Sequence, residues 1–120
     1  MRTYIAGVYS AGDQAVNVRN AILAMNRLMD AGHAPHCPHL THFAHMLAPR
    51  AYEDWIRLAL VWVGQCEALV RLPGESPGAD REVAEARRLG LPVFEGVDAF
   101  LEARANYCGY CHASPCEWPF

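Results

Sequence analysis

The segment Ser76-Pro77-Gly78-Ala79-Asp80-Arg81-Glu82 holds the side chains best placed to do chemistry. Ser76 fits the N-cap of a helix and Pro77 its first position, where a missing N–H costs nothing. A helix entered through such a Ser/Gly turn presents free backbone N–H groups to an anion such as phosphate, here at Ser76 and Gly78. At about 100° per residue, Ala79, Val83, Ala86 and Leu89 cluster on one face with Glu82 inside their arc, while Asp80, Arg81, Arg87 and Arg88 fall outside it. Asp80 then reads as an acid favoured by the positive end of the helix dipole. For Glu82 that explanation is insufficient, because a carboxylate facing a sheet loses hydration unless something binds it. An anion cradle followed about one and a half turns later by an inward carboxylate points to a small-molecule site, with Ala79 and Ala86 leaving room for the ligand.

Two further groups of residue types invite a metal. His33, His36, His39, His42 and His45 recur at every third position, but Pro35 and Pro38 prevent one helix from carrying all five on a common face. A polar loop over the sheet edge is the simpler reading, with His39 and His42 lining or buttressing a pocket. The C-terminal residues read Cys108-x2-Cys111-His112-x3-Cys116. Three thiolates with His112 as a fourth ligand would suit a tetrahedral structural zinc ion, while free thiols and a disulfide remain open alternatives. Cys37 and Cys66 fall in or beside strand-like segments and read as core thiols.

The elements that must position these groups follow from the apolar pattern. Residues 3–9 (TYIAGVY) are β-rich and apolar like a buried parallel strand. Asp13 is a plausible N-cap for a helix whose apolar stripe runs from Val18 to Met29 and which stops at Gly32. The prolines between 33 and 49 leave room for a short strand near His36 and Cys37 and then a loop. A helix over 51–65, apolar from Leu58 to Val63 and expected to be well buried, leads to a strand over 67–72. A helix over 77–89, a strand at PVFE and a short helix over 98–105 complete the chain. The alternation predicts an α/β domain over 1–105, of Rossmann-like or flavodoxin-like layout, with a parallel sheet flanked by helices on both faces and ligand bound at the strands' carboxyl ends. Residues 106–120, rich in Cys, aromatics and Pro, form an appended tail.

Composition narrows the function further. The 120 residues carry a net charge of −3 with both signs dispersed, which argues against duplex nucleic acid or an anionic membrane as partner. Ten arginines and no lysine exclude Schiff-base catalysis and a P-loop lysine. With neither a signal-like leader nor an apolar run long enough to cross a bilayer, a cytoplasmic location is expected.

Three stretches, YIAGVYS at 4–10, PHLTHF at 38–43 and CEALVRLPGESPGADREVAEA at 66–86, resemble the nucleoside 2-deoxyribosyltransferase superfamily, which includes the deoxynucleoside 5′-monophosphate N-glycosidases. The resemblance covers roughly residues 3–96 in the family's order. It implies that Glu82 is a nucleophile toward the anomeric carbon of a (deoxy)ribose, that Ser76 and Gly78 hold a 5′-phosphate, and that Gly7, Val8, Tyr9 and Ser10 lie beside sugar and base, with Tyr9 and Asp80 as further catalytic candidates. No cofactor is implied for the reaction. Relatives often build the site at a subunit interface, so a homo-oligomer is expected. Covalent chemistry at a sugar requires an ionised carboxylate and a proton source for the leaving group. The aspartate that assists proton transfer in relatives falls on Ala59 here, and Asp54 is displaced from it in angle and length. Either another group, Asp80 or His39, supplies the proton, or nucleotide binding persists without turnover. Alternatives outside catalysis are a nucleotide-binding module and a zinc-stabilised protein-interaction element.

Overall fold

The structure, a computed structural model, describes residues 1–105, so the tail from 106 to 120 lies outside the described residues. Strands β1 (Arg2–Ala6), β2 (Ala34–His36), β3 (Ala68–Arg71) and β4 (Val93–Glu95) form one parallel sheet in the order β2-β1-β3-β4. Helices α1 (Gln14–Asp30), α2 (Thr41–Leu47), α3 (Tyr52–Val63), α4 (Pro77–Arg88) and α5 (Val97–Ala103) connect and cover it. This is the expected α/β class, doubly wound. Alternation along β1 shows why two layers are needed: Ile5 packs with Ala21 and Leu28 of α1 and Phe100 of α5, while Tyr4 and Ala6 pack with Val63 of α3 and Ala79, Val83 and Ala86 of α4.

Helix boundaries follow local chemistry. Asp13 caps α1 by accepting hydrogen bonds from the N–H groups of Ala15 and Val16, and Ser76 caps α4 by accepting from Ala79 N–H. Gly32 and Gly90, both at positive φ, follow the ends of α1 and α4, where a residue with Cβ would be strained.

Three expectations need correction. Residues 33–49 are not merely strand and loop: Pro38 opens a 3₁₀ turn over Pro38–Leu40, and α2 follows at once. Proline is tolerated at the first position of such a turn, and the stretch Thr41–Leu47 between Pro38 and Pro49 contains none. Helix α3 is also less buried than its composition suggests. Only Ile56 and Val63 are fully buried, while Leu58, Val61 and Trp62 are exposed, because one face of the helix rests on the domain and the other borders an open cleft. Leu89, expected on the buried arc of α4, is exposed at its C-cap.

The cleft lies where the topology requires one. The chain leaves β1 toward β2 on one side and returns to β3 on the other, so the loops after β1 and β3 diverge above their carboxyl ends and leave a crevice between them.

Candidate functional site

The loop after β1 is held from three directions. His39 Nε2 lies 3.0 Å from the Val8 carbonyl, which can only accept, so the proton sits on Nε2. Asn17 Nδ2 donates to the carbonyls of Tyr9 and Ala11 at 2.9 and 2.7 Å. From the β3 side, Gly74 has φ +115° and so close an approach to Val8 that a Cβ there would stand 2.5 Å from Val8 Cγ2. The loop after β3 is fixed in turn by Arg71, whose guanidinium donates to the carbonyls of Leu72 and Gly74.

These two loops, the segment after β2, the outer face of α3 and the start of α4 enclose a cleft of about 790 Å³. Gly7, Val8, Tyr9 and Ser10 line it from the first loop, and His39 from the 3₁₀ turn. Ser76, Gly78 and Glu82 line it from α4. Pro77 has no N–H and that of Ala79 is taken by Ser76 Oγ, which leaves the N–H of Gly78 as a first-turn donor without a helical acceptor. The Ser76 hydroxyl, already an acceptor, retains its own proton to donate. An added Cβ at Gly78 would come within 3.0 Å of Tyr52 Oη and 3.5 Å of Ile56 Cδ1, so the glycine is what lets α3 approach the first turn of α4.

Glu82 is 6% exposed, on the buried face of α4 as the helical spacing predicts. Tyr4 Oη faces it from β1, close enough for each to affect the other's ionisation. Neither Tyr4 Oη nor Glu82 Oε2 completes a well-formed hydrogen bond. Burial pushes the Glu82 carboxyl up to about 7, against the opposing pull of the Tyr4 hydroxyl and the Arg71 charge.

Asp80 is placed elsewhere. It is exposed and pairs with Arg71 at 3.3 Å, outside the residues that line the cleft. His39 does line the cleft, but burial lowers its pKa while the carbonyls of Val8 and Gly7 oppose that shift, and its Nδ1 is sealed in without a partner. It buttresses the loop after β1, and its one fixed proton is committed to Val8. Neither residue is therefore positioned as the proton source that the sequence left open.

The five evenly spaced histidines have separate neighbours. His33 lies at the amino terminus and Phe100, and His36 stacks on Trp62 with ring centroids 5.1 Å apart. His42 Nδ1 meets Tyr9 Oη at 2.7 Å, and His45 Nδ1 accepts from Trp55 Nε1 at 2.9 Å. Among the described residues no three His, Cys, Asp or Glu side chains are grouped to hold a metal. Cys37 and Cys66 are buried free thiols, as expected of core residues. Cys108, Cys111, His112 and Cys116 lie outside the described residues.

Besides Ala59, which the resemblance had marked, the cleft contains residues that the sequence did not single out. Tyr52, Trp55, Ala59 and Trp62 line it from α3, spaced i, i+3, i+7 and i+10, which places them on one helical face. That spacing was visible, but the surrounding apolar residues made the whole segment read as core. Arg50, Thr41 and His45 also line the cleft; His45 belongs to the evenly spaced histidines and Thr41 to PHLTHF, but neither pattern placed them there.

The cleft lies at the switch point of a doubly wound α/β domain, the place where such folds bind ligands, and it brings together the first turn of α4, a buried carboxyl and an aromatic wall. The chain belongs to the family described as a domain of unknown function (DUF7768), which matches residues 1–95. No curated protein and no solved structure matches it.

Proposed function

We propose that the protein acts on the N-glycosidic bond of a nucleoside or nucleotide, with Glu82 as nucleophile. The observation that carries this reading is the enclosed Glu82 carboxyl, which lines the cleft beyond the Ser76–Gly78 cradle and has an oxygen without a hydrogen-bond partner. A ligand whose phosphate is bound by Ser76 Oγ–H and Gly78 N–H extends from there along the cleft past Glu82. The stripe of Tyr52, Trp55 and Trp62 offers a planar base the apolar surface it needs. Ionised Glu82 attacks the anomeric carbon, the base departs through an oxocarbenium-like transition state, and water or a second base resolves the glycosyl ester. The resemblance to nucleoside 2-deoxyribosyltransferases supports the same assignment.

Ala59 favours a second reading, a nucleotide-binding module without turnover. It sits within the aromatic stripe, where the resemblance implies an aspartate, and contributes no proton. The exposed apolar side chains of Phe43, Met46, Leu47, Val61 and Trp62 favour assembly as a homo-oligomer.

Incubation with a panel of nucleosides and 5′-monophosphates, followed by chromatography for free base, separates the two readings. Base release that is lost in Glu82→Ala supports the enzyme. If no base appears while a monophosphate raises the melting temperature, the enzyme reading fails and the binding module stands. Metal analysis of the full chain tests the proposed structural zinc at Cys108, Cys111, His112 and Cys116.

A further inference from the structure

An N-glycosidase without an acid at position 59 must still protonate its leaving base, and the cleft narrows the choice of donor. His39 has its fixed proton on Val8, and Asp80 lies outside the cleft. His45 Nδ1 accepts from Trp55 Nε1 and the Arg50 N–H, an indole and a backbone amide that cannot resupply a proton given up from its Nε2. His36 is packed between the rings of Tyr4 and Trp62.

Glu75 and Tyr52 also line the cleft, both as exposed residues, and Tyr9 differs from all of these. It lines the cleft, its backbone is fixed by Asn17, and its hydroxyl is 2.7 Å from Nδ1 of His42, a half-buried residue of α2 that is not itself in the cleft wall. The ring of Tyr9 is held edge-on by His39 and His42, with centroids 6.3 and 5.6 Å away, and His42 also packs on Phe43. The state of His42 decides which way the hydroxyl points. A neutral imidazole with its lone pair on Nδ1 accepts the Tyr9 proton, whereas an imidazolium donates Nδ1–H to Tyr9 Oη and frees the phenolic O–H for another acceptor.

We infer that Tyr9 and His42 form a two-residue proton relay to the leaving base, an inference that rests on the N-glycosidase reading above. As Glu82 bonds to the anomeric carbon, the carbon–nitrogen bond breaks and its electron pair stays on the base. The base nitrogen takes the Tyr9 hydroxyl proton, Tyr9 Oη takes the Nδ1 proton of His42, and the imidazole is left neutral. When water attacks the glycosyl ester of Glu82, its proton returns through Tyr9 to His42, so the relay is restored in each cycle. Tyr9 touches the leaving group, and His42 acts through it.

The test compares leaving groups that do and do not need protonation. Wild type, Tyr9→Phe and His42→Gln are assayed with a nucleoside 5′-monophosphate and with the 4-nitrophenyl (deoxy)riboside 5′-phosphate, whose nitrophenolate departs as an anion. Glutamine can hydrogen-bond to Tyr9 but cannot supply a proton. In single-turnover assays, which read bond cleavage before the glycosyl ester is resolved, both variants are expected to release base about 100-fold or more slowly while nitrophenolate release stays close to wild type. Tyr9→Phe preserves the ring packing, and His42→Gln carries the test alone if the first variant does not fold. If both substrates slow together, or neither slows, the relay is overturned while the N-glycosidase reading survives. If wild type releases neither leaving group, that reading fails and the relay falls with it.

Discussion

Tyr4 of β1 and Glu82 of α4 meet beneath the cleft as two buried polar groups, each with an oxygen that lacks a completed hydrogen bond. Their contact joins the central strand to the helix that Ser76 caps. It also leaves Glu82 with a folded-state pKa near 7, above its ordinary value of 4.5, because lost hydration outweighs the Tyr4 and Arg71 contributions.

That shift predicts how stability varies with pH. Below about pH 4.5 the carboxyl is protonated in both the folded and the unfolded chain, and it costs nothing. Between about 4.5 and 7 the folded chain holds the proton more tightly, so stability falls as pH rises, and above that range the full penalty applies. Glu82→Gln removes the charge. It should raise stability at pH 8 by up to about 3 kcal/mol, with the gain shrinking to nothing near pH 4. Urea denaturation at the two pH values measures it, and an equal effect at both would show that Glu82 is not held at a raised pKa.

On the proposed N-glycosidase function, the same group should set the acid limb of activity. A nucleophilic carboxylate must be ionised, so kcat/KM for base release should fall about tenfold for each pH unit below 7. Replacing Arg71, which helps keep Glu82 charged, should move that limb to higher pH. A limb that stays in place in Arg71→Met would mean that the guanidinium does not act on Glu82 electrostatically.

Much of this arrangement was legible in the sequence because it is local. The cap at Ser76, the inward turn of Glu82 and the cap at Asp13 follow from residue type and helical spacing alone. The partners of Arg71 were not legible, since its reach to Leu72, Gly74 and Asp80 depends on how the loop after β3 folds back. Nor was the pairing of Tyr9 with His42, which lie 33 residues apart and meet only because β2 pairs with β1 and brings α2 beside the first loop. The exposed face of α3 was misread for a related reason: a run from Leu58 to Val63 gives no sign of whether a neighbour covers its second face.

Gly74 offers a backbone test of the loop contact. Its φ of +115° is unfavourable for any residue with a Cβ, and the Cβ of alanine would overlap Val8 Cγ2. Gly74→Ala should therefore destabilise the fold by about 2 kcal/mol and widen the gap between the loops after β1 and β3. Adding Val8→Ala relieves the overlap but not the torsional strain, so only part of the loss should return. Full recovery of melting temperature in the double variant would locate the whole effect in the side-chain contact.

Asp80 and Arg71 share an ion pair but should not share its consequences. Asp80 is 73% exposed at its side chain and Arg71 only 10%. Asp80→Asn should change stability by less than about 0.5 kcal/mol and leave the rate of base release at the wild-type level. Arg71→Met strands the carbonyls of Leu72 and Gly74, for a loss of about 2 kcal/mol. A large fall in base release in Asp80→Asn, with stability unchanged, would return Asp80 to the role of proton donor.

Position 59 tests the leaving-group side of the cleft. Ala59 lies within the stripe formed by Tyr52, Trp55 and Trp62, and it is partly open to the cleft. An aspartate there would introduce a second acid opposite the base without displacing an aromatic side chain. In a Tyr9→Phe background, Ala59→Asp should restore base release by about tenfold or more while leaving nitrophenolate release unchanged, because a departing phenolate draws nothing from an added proton donor. Restoration confined to the natural base would place the leaving group between α3 and the loop after β1. If base release does not recover although the double variant folds and binds monophosphate, the base lies elsewhere in the cleft.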